Sequence, residues 1–146
     1  MRFSTRTRYG LRFLLRLAAQ PKDSLLRLGQ VARRENISSG YLEQIVRALK
    51  PLGILRAVRG SGGGYALAKA PSEINMEDVF LLLEGEIAPV RCLTKGQRCQ
   101  RENQCSTRDF WKELDSHIRG FLQRHTLQEI IESEKRSASG GNYVEL

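Results

Sequence analysis

The chain has 146 residues, with 24 Lys or Arg against 16 Asp or Glu and three cysteines, enough for one compact domain with an appendage and too little for a two-domain enzyme. No run of about 18 or more apolar residues occurs, and the basic segment 1–9 lacks the apolar region of a signal peptide, so the expected location is the cytoplasm, with no membrane partner. The charge is uneven: residues 1–70 hold 14 Lys or Arg against 3 Asp or Glu, net +11, whereas residues 71–146 hold 10 against 13, net −3. A basic half of this size reads as a footprint for a polyanion, because neutralised phosphates release condensed counterions; a merely solvated basic surface is the alternative.

The first helix is predicted from about Tyr9 to Ala19, with Leu11, Leu14, Leu15 and Ala18 on one face and Arg8, Arg12 and Arg16 as an opposite ridge, ended by Pro21. A second, roughly Arg27 to Arg34, buries Leu28, Val31 and Ala32. After the break Glu35-Asn36-Ile37, Ser38 caps a third helix whose Leu42, Ile45, Val46 and Leu49 recur at helical spacing, closed by Pro51 and Gly53. Two short helices joined by a tight turn make a helix-turn-helix pattern. The next segment, Ile54 to Ala68, alternates and turns on Gly60-Ser-Gly-Gly-Gly64 as a β-hairpin does, which completes a winged helix. Arg56 and Arg59 flank the glycine-rich tip, where bare backbone approaches DNA and an arginine enters a narrow minor groove. A nucleotide-cradling loop is disfavoured, because these glycines lead into Tyr65-Ala-Leu-Ala rather than a helix.

Ile74 to Glu84 reads as a fourth helix with Asn75 as cap and Ile74 stapled to Val79. From Asp109 to Arg124, Trp111, Leu114, Ile118 and Phe121 form a seam for another helix, most simply its copy in a homodimer, with packing inside one chain as the alternative. Thr126-Leu-Gln-Glu129 is a capping box that starts a short last helix with Leu127, Ile130 and Ile131 as its apolar face. The expected fold is therefore mainly α: a winged helix-turn-helix DNA-binding domain over 1–85, a cysteine loop over 86–108, a dimerisation helix and final helix over 109–134, and a disordered polar tail over 135–146.

Cys92, Cys99 and Cys105 all lie in that loop, where Leu93 is the only strongly apolar residue besides cysteine between Arg91 and Asp109. With no local core to hide in, and in odd number, these thiols point to a metal or to redox chemistry rather than to a disulfide framework. Structural zinc fits poorly, because it prefers four ligands and no C-x2-C pair exists. A ferredoxin-like carrier would supply four cysteines. No catalytic triad or paired carboxylates can be assigned, so neither an enzyme nor a small-molecule substrate is expected. His117 and His125 read as ordinary helix-surface or cap residues.

Met1-Arg-Phe-Ser4, Arg8-Tyr-Gly-Leu11, Ser39-Gly-Tyr-Leu-Glu-Gln44, Val58-Arg-Gly-Ser-Gly-Gly-Gly-Tyr65, the three cysteines and Cys105-Ser-Thr-Arg-Asp-Phe-Trp111 together resemble the Rrf-two family of winged-helix regulators, over about residues 1–134. That family includes an iron-sulfur cluster regulator and a nitric-oxide-sensitive repressor. The resemblance implies a homodimer with recognition helices in successive major grooves of pseudo-palindromic double-stranded DNA. It assigns Ser38, Ser39, Tyr41 and Gln44 to phosphate- or base-facing positions, Arg59 to the wing and Glu43 to sequence selection. A glutamate there accepts from cytosine N4 yet repels phosphate. It also implies an iron-sulfur cluster, 4Fe-4S or 2Fe-2S, on Cys92, Cys99 and Cys105, sensing iron, redox or nitric oxide status, with thiol oxidation or structural zinc as the alternative. The family's usual fourth ligands fall at Arg108 and Arg8, which stay protonated and cannot ligate iron. The fourth ligand stays open, with Glu102, Asp109, His117 or an external group as candidates. The C-x6-C spacing is also one residue longer than the family's common form.

Overall fold

Ser4 starts the fold. Its backbone is extended and its side chain accepts from the Thr7 N–H at 3.3 Å, so helix α1 (Thr5–Ala18) begins before Tyr9, where the apolar repeat placed it. The polar first turn hides this start, since only the later turns carry the apolar stripe. The computed structural model describes residues 2–139. Phe13, Leu14 and Leu17 of α1 are buried against Val31 and Ala32 of α2 (Leu28–Arg34) and Leu42, Ile45, Val46 and Leu49 of α3 (Ser39–Leu49). Asn36, at φ 53, makes the turn between α2 and α3 in the left-handed region that asparagine tolerates.

Strands β1 (Leu55–Val58) and β2 (Gly64–Leu67) form an antiparallel hairpin in which Leu55 faces Leu67 and Val58 faces Gly64. Helix α4 (Met76–Glu84) follows, capped as expected by Asn75, whose Oδ1 accepts from Glu77 N at 2.9 Å. Val79 and Leu83 complete the core beneath α1 and α3. A Cβ on Gly10 would stand 2.5 Å from Leu83 Cδ1, so α1 and α4 approach where α1 has no side chain.

Helix α5 (Arg108–Arg124) packs its C-terminal half on α4 through Ile118 and the buried Leu122, with Arg119 reaching Glu77 of α4 at 3.8 Å. Helix α6 (Leu127–Ser139) starts where Thr126 N donates to Glu129 Oε2 at 2.7 Å, and Leu127 is fully buried. It extends past Glu134, so residues 135–139 of the tail expected to be disordered are helical. Glu132, Glu134, Lys135, Arg136 and Ala138 favour a helix, and the glycines come only afterwards, outside the described residues. No helix among the described residues is long and apolar enough to cross a membrane.

The Asn75 side chain also donates from Nδ2 to the Gln123 carbonyl at 2.7 Å, tying the start of α4 to the end of α5. Asn75→Ala is expected to cost about 1–2 kcal/mol. A urea titration reads this as a lower midpoint at unchanged slope, and an unmoved midpoint would show that neither bond contributes.

Candidate nucleic-acid interface and cysteine loop

Helix α3 carries the residues expected to read DNA. Ser38 caps it, its Oγ accepting from Tyr41 N at 3.1 Å, which leaves the hydroxyl proton free to donate to a phosphate. Ser39, Glu43 and Gln44 are exposed on the helix, opposite the buried stripe of Leu42, Ile45 and Val46. Tyr41 behaves differently. Its hydroxyl lies 2.8 Å from Thr5 Oγ1 and its ring packs edge-on against Tyr9 at 6.2 Å, so it braces α3 against the start of α1 while remaining partly exposed. Sequence reading missed Thr5, because a hydroxyl in a polar first turn gives no periodic signal.

Arg59 is exposed where the wing turns. Arg56 sits lower: it faces Ala66 in the hairpin and lines a cleft with Lys22 and Lys69, so it belongs to the base of the wing rather than its tip. The arginine ridge of α1 is partly consumed within the fold. Arg12 and Arg16 both pair with Glu35, at 3.2 and 3.3 Å, and the Glu35 side chain is only 7% exposed. Some of the N-terminal positive surplus therefore joins α1 to α2 instead of facing a polyanion.

The cysteine loop leaves α4 at Gly85 and returns to α5 at Arg108. Cys92 and Cys99 are half-buried and Cys105 is exposed. The Thr107 hydroxyl, 3.5 Å from Cys105 Sγ, together with the Thr107 backbone and Arg108, holds the Cys105 thiol below its ordinary range. Arg108 and Glu102 form an ion pair, so two of the positions weighed as ligand sites engage each other. His117 Nδ1 lies 2.8 Å from the Glu113 carbonyl, and His125 Nδ1 lies 2.7 Å from the Phe121 carbonyl with its ring stacked on Phe121. Both occupy helix-surface or cap positions, as their sequence contexts indicate. Among the described residues no three His, Cys, Asp or Glu side chains gather as ligands of one ion. The donor chemistry nevertheless fits an iron-sulfur group: three thiols in one accessible loop, one of them with a depressed pKa.

The last turn of α4, just before this loop, touches the N-terminus of α1. The Ser4 N–H donates to Glu84 Oε1 at 2.6 Å, and Arg6 Nε donates to the Leu83 carbonyl at 2.6 Å. Partial burial pushes the Glu84 carboxyl up, but the Thr7 hydroxyl, hydrogen bonding at Ser4 and the nearby Arg6 together outweigh it and leave it below the ordinary carboxylate range.

The sequence matches the Rrf2 family, described as iron-dependent transcriptional regulators, over residues 3–133. The chain belongs to the Rrf2 family. It is 34% identical over 134 residues to the transcriptional regulator IscR of Serratia proteamaculans, covering 92% of this chain and 81% of that one. Among solved structures, IscR of T. potens is similar at a TM-score of 0.73 and 27% identity, with 94% of this chain and 90% of that chain covered. Staphylococcus aureus CymR in an oxidised form is similar at 0.71 and 30%, with 100% of both covered. Rrf2 proteins are transcriptional regulators and not enzymes, so the winged helix is a DNA-binding unit and its hairpin is the wing.

Proposed function

We propose that this Rrf2 protein is a homodimeric, operator-specific regulator whose affinity for double-stranded DNA is set by an iron-sulfur cluster on Cys92, Cys99 and Cys105. The placement of the cysteine loop carries this reading. It begins at the turn of α4 that holds Ser4 and Arg6, and the adjacent Thr5 contacts Tyr41 of the recognition helix. A change of state in the loop thus has a short, contiguous route to α3, and a ligand that favours one arrangement shifts the population of both. The cluster, when bound, supplies a redox- and iron-responsive centre. Thiolates on separate irons need not meet at one ion, which suits a loop whose cysteines do not converge better than structural zinc does.

Ser38, Ser39 and Tyr41 serve the phosphates and flanking bases in this reading, Gln44 and Glu43 read base edges, and Arg59 enters the neighbouring minor groove. The dimer is supported by α5, where Phe110 is 63% exposed, Phe121 56% and Leu114 37%, an apolar face that a second copy would cover. Anaerobically reconstituted and chelator-stripped protein, titrated into the same labelled operator duplex, should differ in affinity by about 5–150-fold. Equal affinities would end the gating account while leaving the DNA-binding unit in place.

A second reading, thiol oxidation at the same cysteines, is favoured by one observation: Cys105 is exposed with its thiol pKa lowered. The oxidised form of the similar CymR structure is in keeping with it. Peroxide treatment of iron-free protein separates the readings, because only thiol sensing predicts a changed DNA affinity there.

A further inference from the structure

The segment joining α1 to α2 holds the wing at two points. Leu26 exchanges backbone hydrogen bonds with Tyr65, N to O at 2.8 Å and back at 2.9 Å, which fastens β2 near its start. One residue later, Arg27 flanks the start of α2 with extended backbone, and its guanidinium Nη2 donates to the Ser61 carbonyl at the wing tip. A cleft of about 780 Å³ opens between them, lined by Arg27, Lys50, Arg59, Ser61 and Tyr65 among others. The tip Gly60-Ser-Gly-Gly63 contains three glycines in four residues, so its own chain does little to fix its direction. Its internal bond is Gly63 N to Gly60 O at 3.0 Å, which closes the turn without orienting it relative to α3.

We propose that Arg27 is a positioning residue for DNA recognition, clamping the wing tip through Ser61 so that Arg59 is presented in fixed relation to the recognition helix. Arg27 is exposed and outside the core, so this contact is not needed for folding. It joins the helix-turn-helix to the tip at the end of the hairpin farthest from the Ile54–Ala68 backbone bond that anchors the base. A clamp there converts two loosely coupled DNA-reading elements into one rigid face, which lowers the ordering cost of binding. The cations beside it make direct phosphate binding the competing role for Arg27.

The inference rests on the DNA-binding reading, and a double-mutant cycle tests it. Unaltered protein, Arg27→Met, Arg59→Ala and the double variant are titrated across a salt series into a duplex that the unaltered protein selects from a randomised pool. Hydroxyl-radical footprinting is run in parallel. Arg27→Met should weaken binding about tenfold, the low end for one groove-reading arginine, and erase protection in the flanking minor groove. In the Arg59→Ala background it should add less than about twofold, because the clamp acts through Arg59. Losses that multiply, with a further drop of about one in the salt slope, would make Arg27 a phosphate contact and overturn the clamp. Unchanged affinity and footprint would overturn it equally. If the unaltered protein selects no duplex, the DNA-binding reading itself fails.

Discussion

Gly63→Ala should abolish wing-dependent DNA affinity, a loss of about 10- to 100-fold, while the melting transition moves little. Gly63 is buried where the tip folds back on β1. A Cβ there would overlap the Val58 carbonyl oxygen and lie 2.9 Å from the Arg59 carbonyl carbon and 3.0 Å from Gly60 O. All three neighbours are backbone, so no side-chain rotation relieves the clash and the turn must reopen. Reopening it redirects Arg59, the next residue after β1. The helical core lies elsewhere, in α1 to α4 with Leu122 and Leu127, and does not depend on the tip. Fluorescence anisotropy against an operator duplex, paired with a thermal melt, reads both quantities. An alanine variant with native affinity would show that the wing makes no productive contact, whereas collapse of the fold would show that the tip supports the core.

The second large effect is expected at the cysteines. Cys92→Ala, Cys99→Ala and Cys105→Ala should each erase the difference in DNA affinity between iron-reconstituted and iron-stripped protein, taking a ratio of about 5–150 to near one. Arg108 is bound to Glu102, and His117 and His125 each lie within hydrogen-bonding distance of a backbone carbonyl, so none of these four side chains is poised to replace a lost thiolate. Binding at one fixed cluster state should stay within a few-fold of native, since the cysteine loop lies outside helix α3 and the wing. A single cysteine variant that keeps the full response would remove that residue from the ligand set.

Much of the fold was legible because it rests on apolar periodicity. Leu42, Ile45, Val46 and Leu49 mark α3 in the sequence and are buried in the structure. Asn75 and Thr126 mark helix starts: Asn75 caps α4 with its side chain, and of the Thr126–Glu129 box the structure forms the half in which the Glu129 carboxylate accepts from Thr126 N. What was not legible depends on contacts between residues far apart in the chain. Ser4 gains its helix-starting role with help from Glu84, Tyr41 spends its hydroxyl on Thr5, and Arg12 and Arg16 converge on Glu35. A one-dimensional pattern of charge shows the arginines but not the carboxylate that claims them. The same limit applies to Arg56, whose position in the hairpin register places it at the base of the wing although it is close in sequence to the tip. The helical span of residues 135–139 was hidden by serine content, which outweighed the glutamates, lysine and arginine between the serines.

The composition of the cysteine loop raises the expectation of a metal or redox site, while the contacts of the preceding end of α4 with α1, and of α1 with α3, became visible only in three dimensions. The most direct test of the gating account is visible absorbance with Mössbauer spectroscopy on anaerobically purified protein and on its three single cysteine-to-alanine variants. The account predicts sulfur-to-iron charge-transfer absorbance with stoichiometric cluster iron in the native protein, lost in each variant. A colourless, iron-free native protein after anaerobic reconstitution would contradict it.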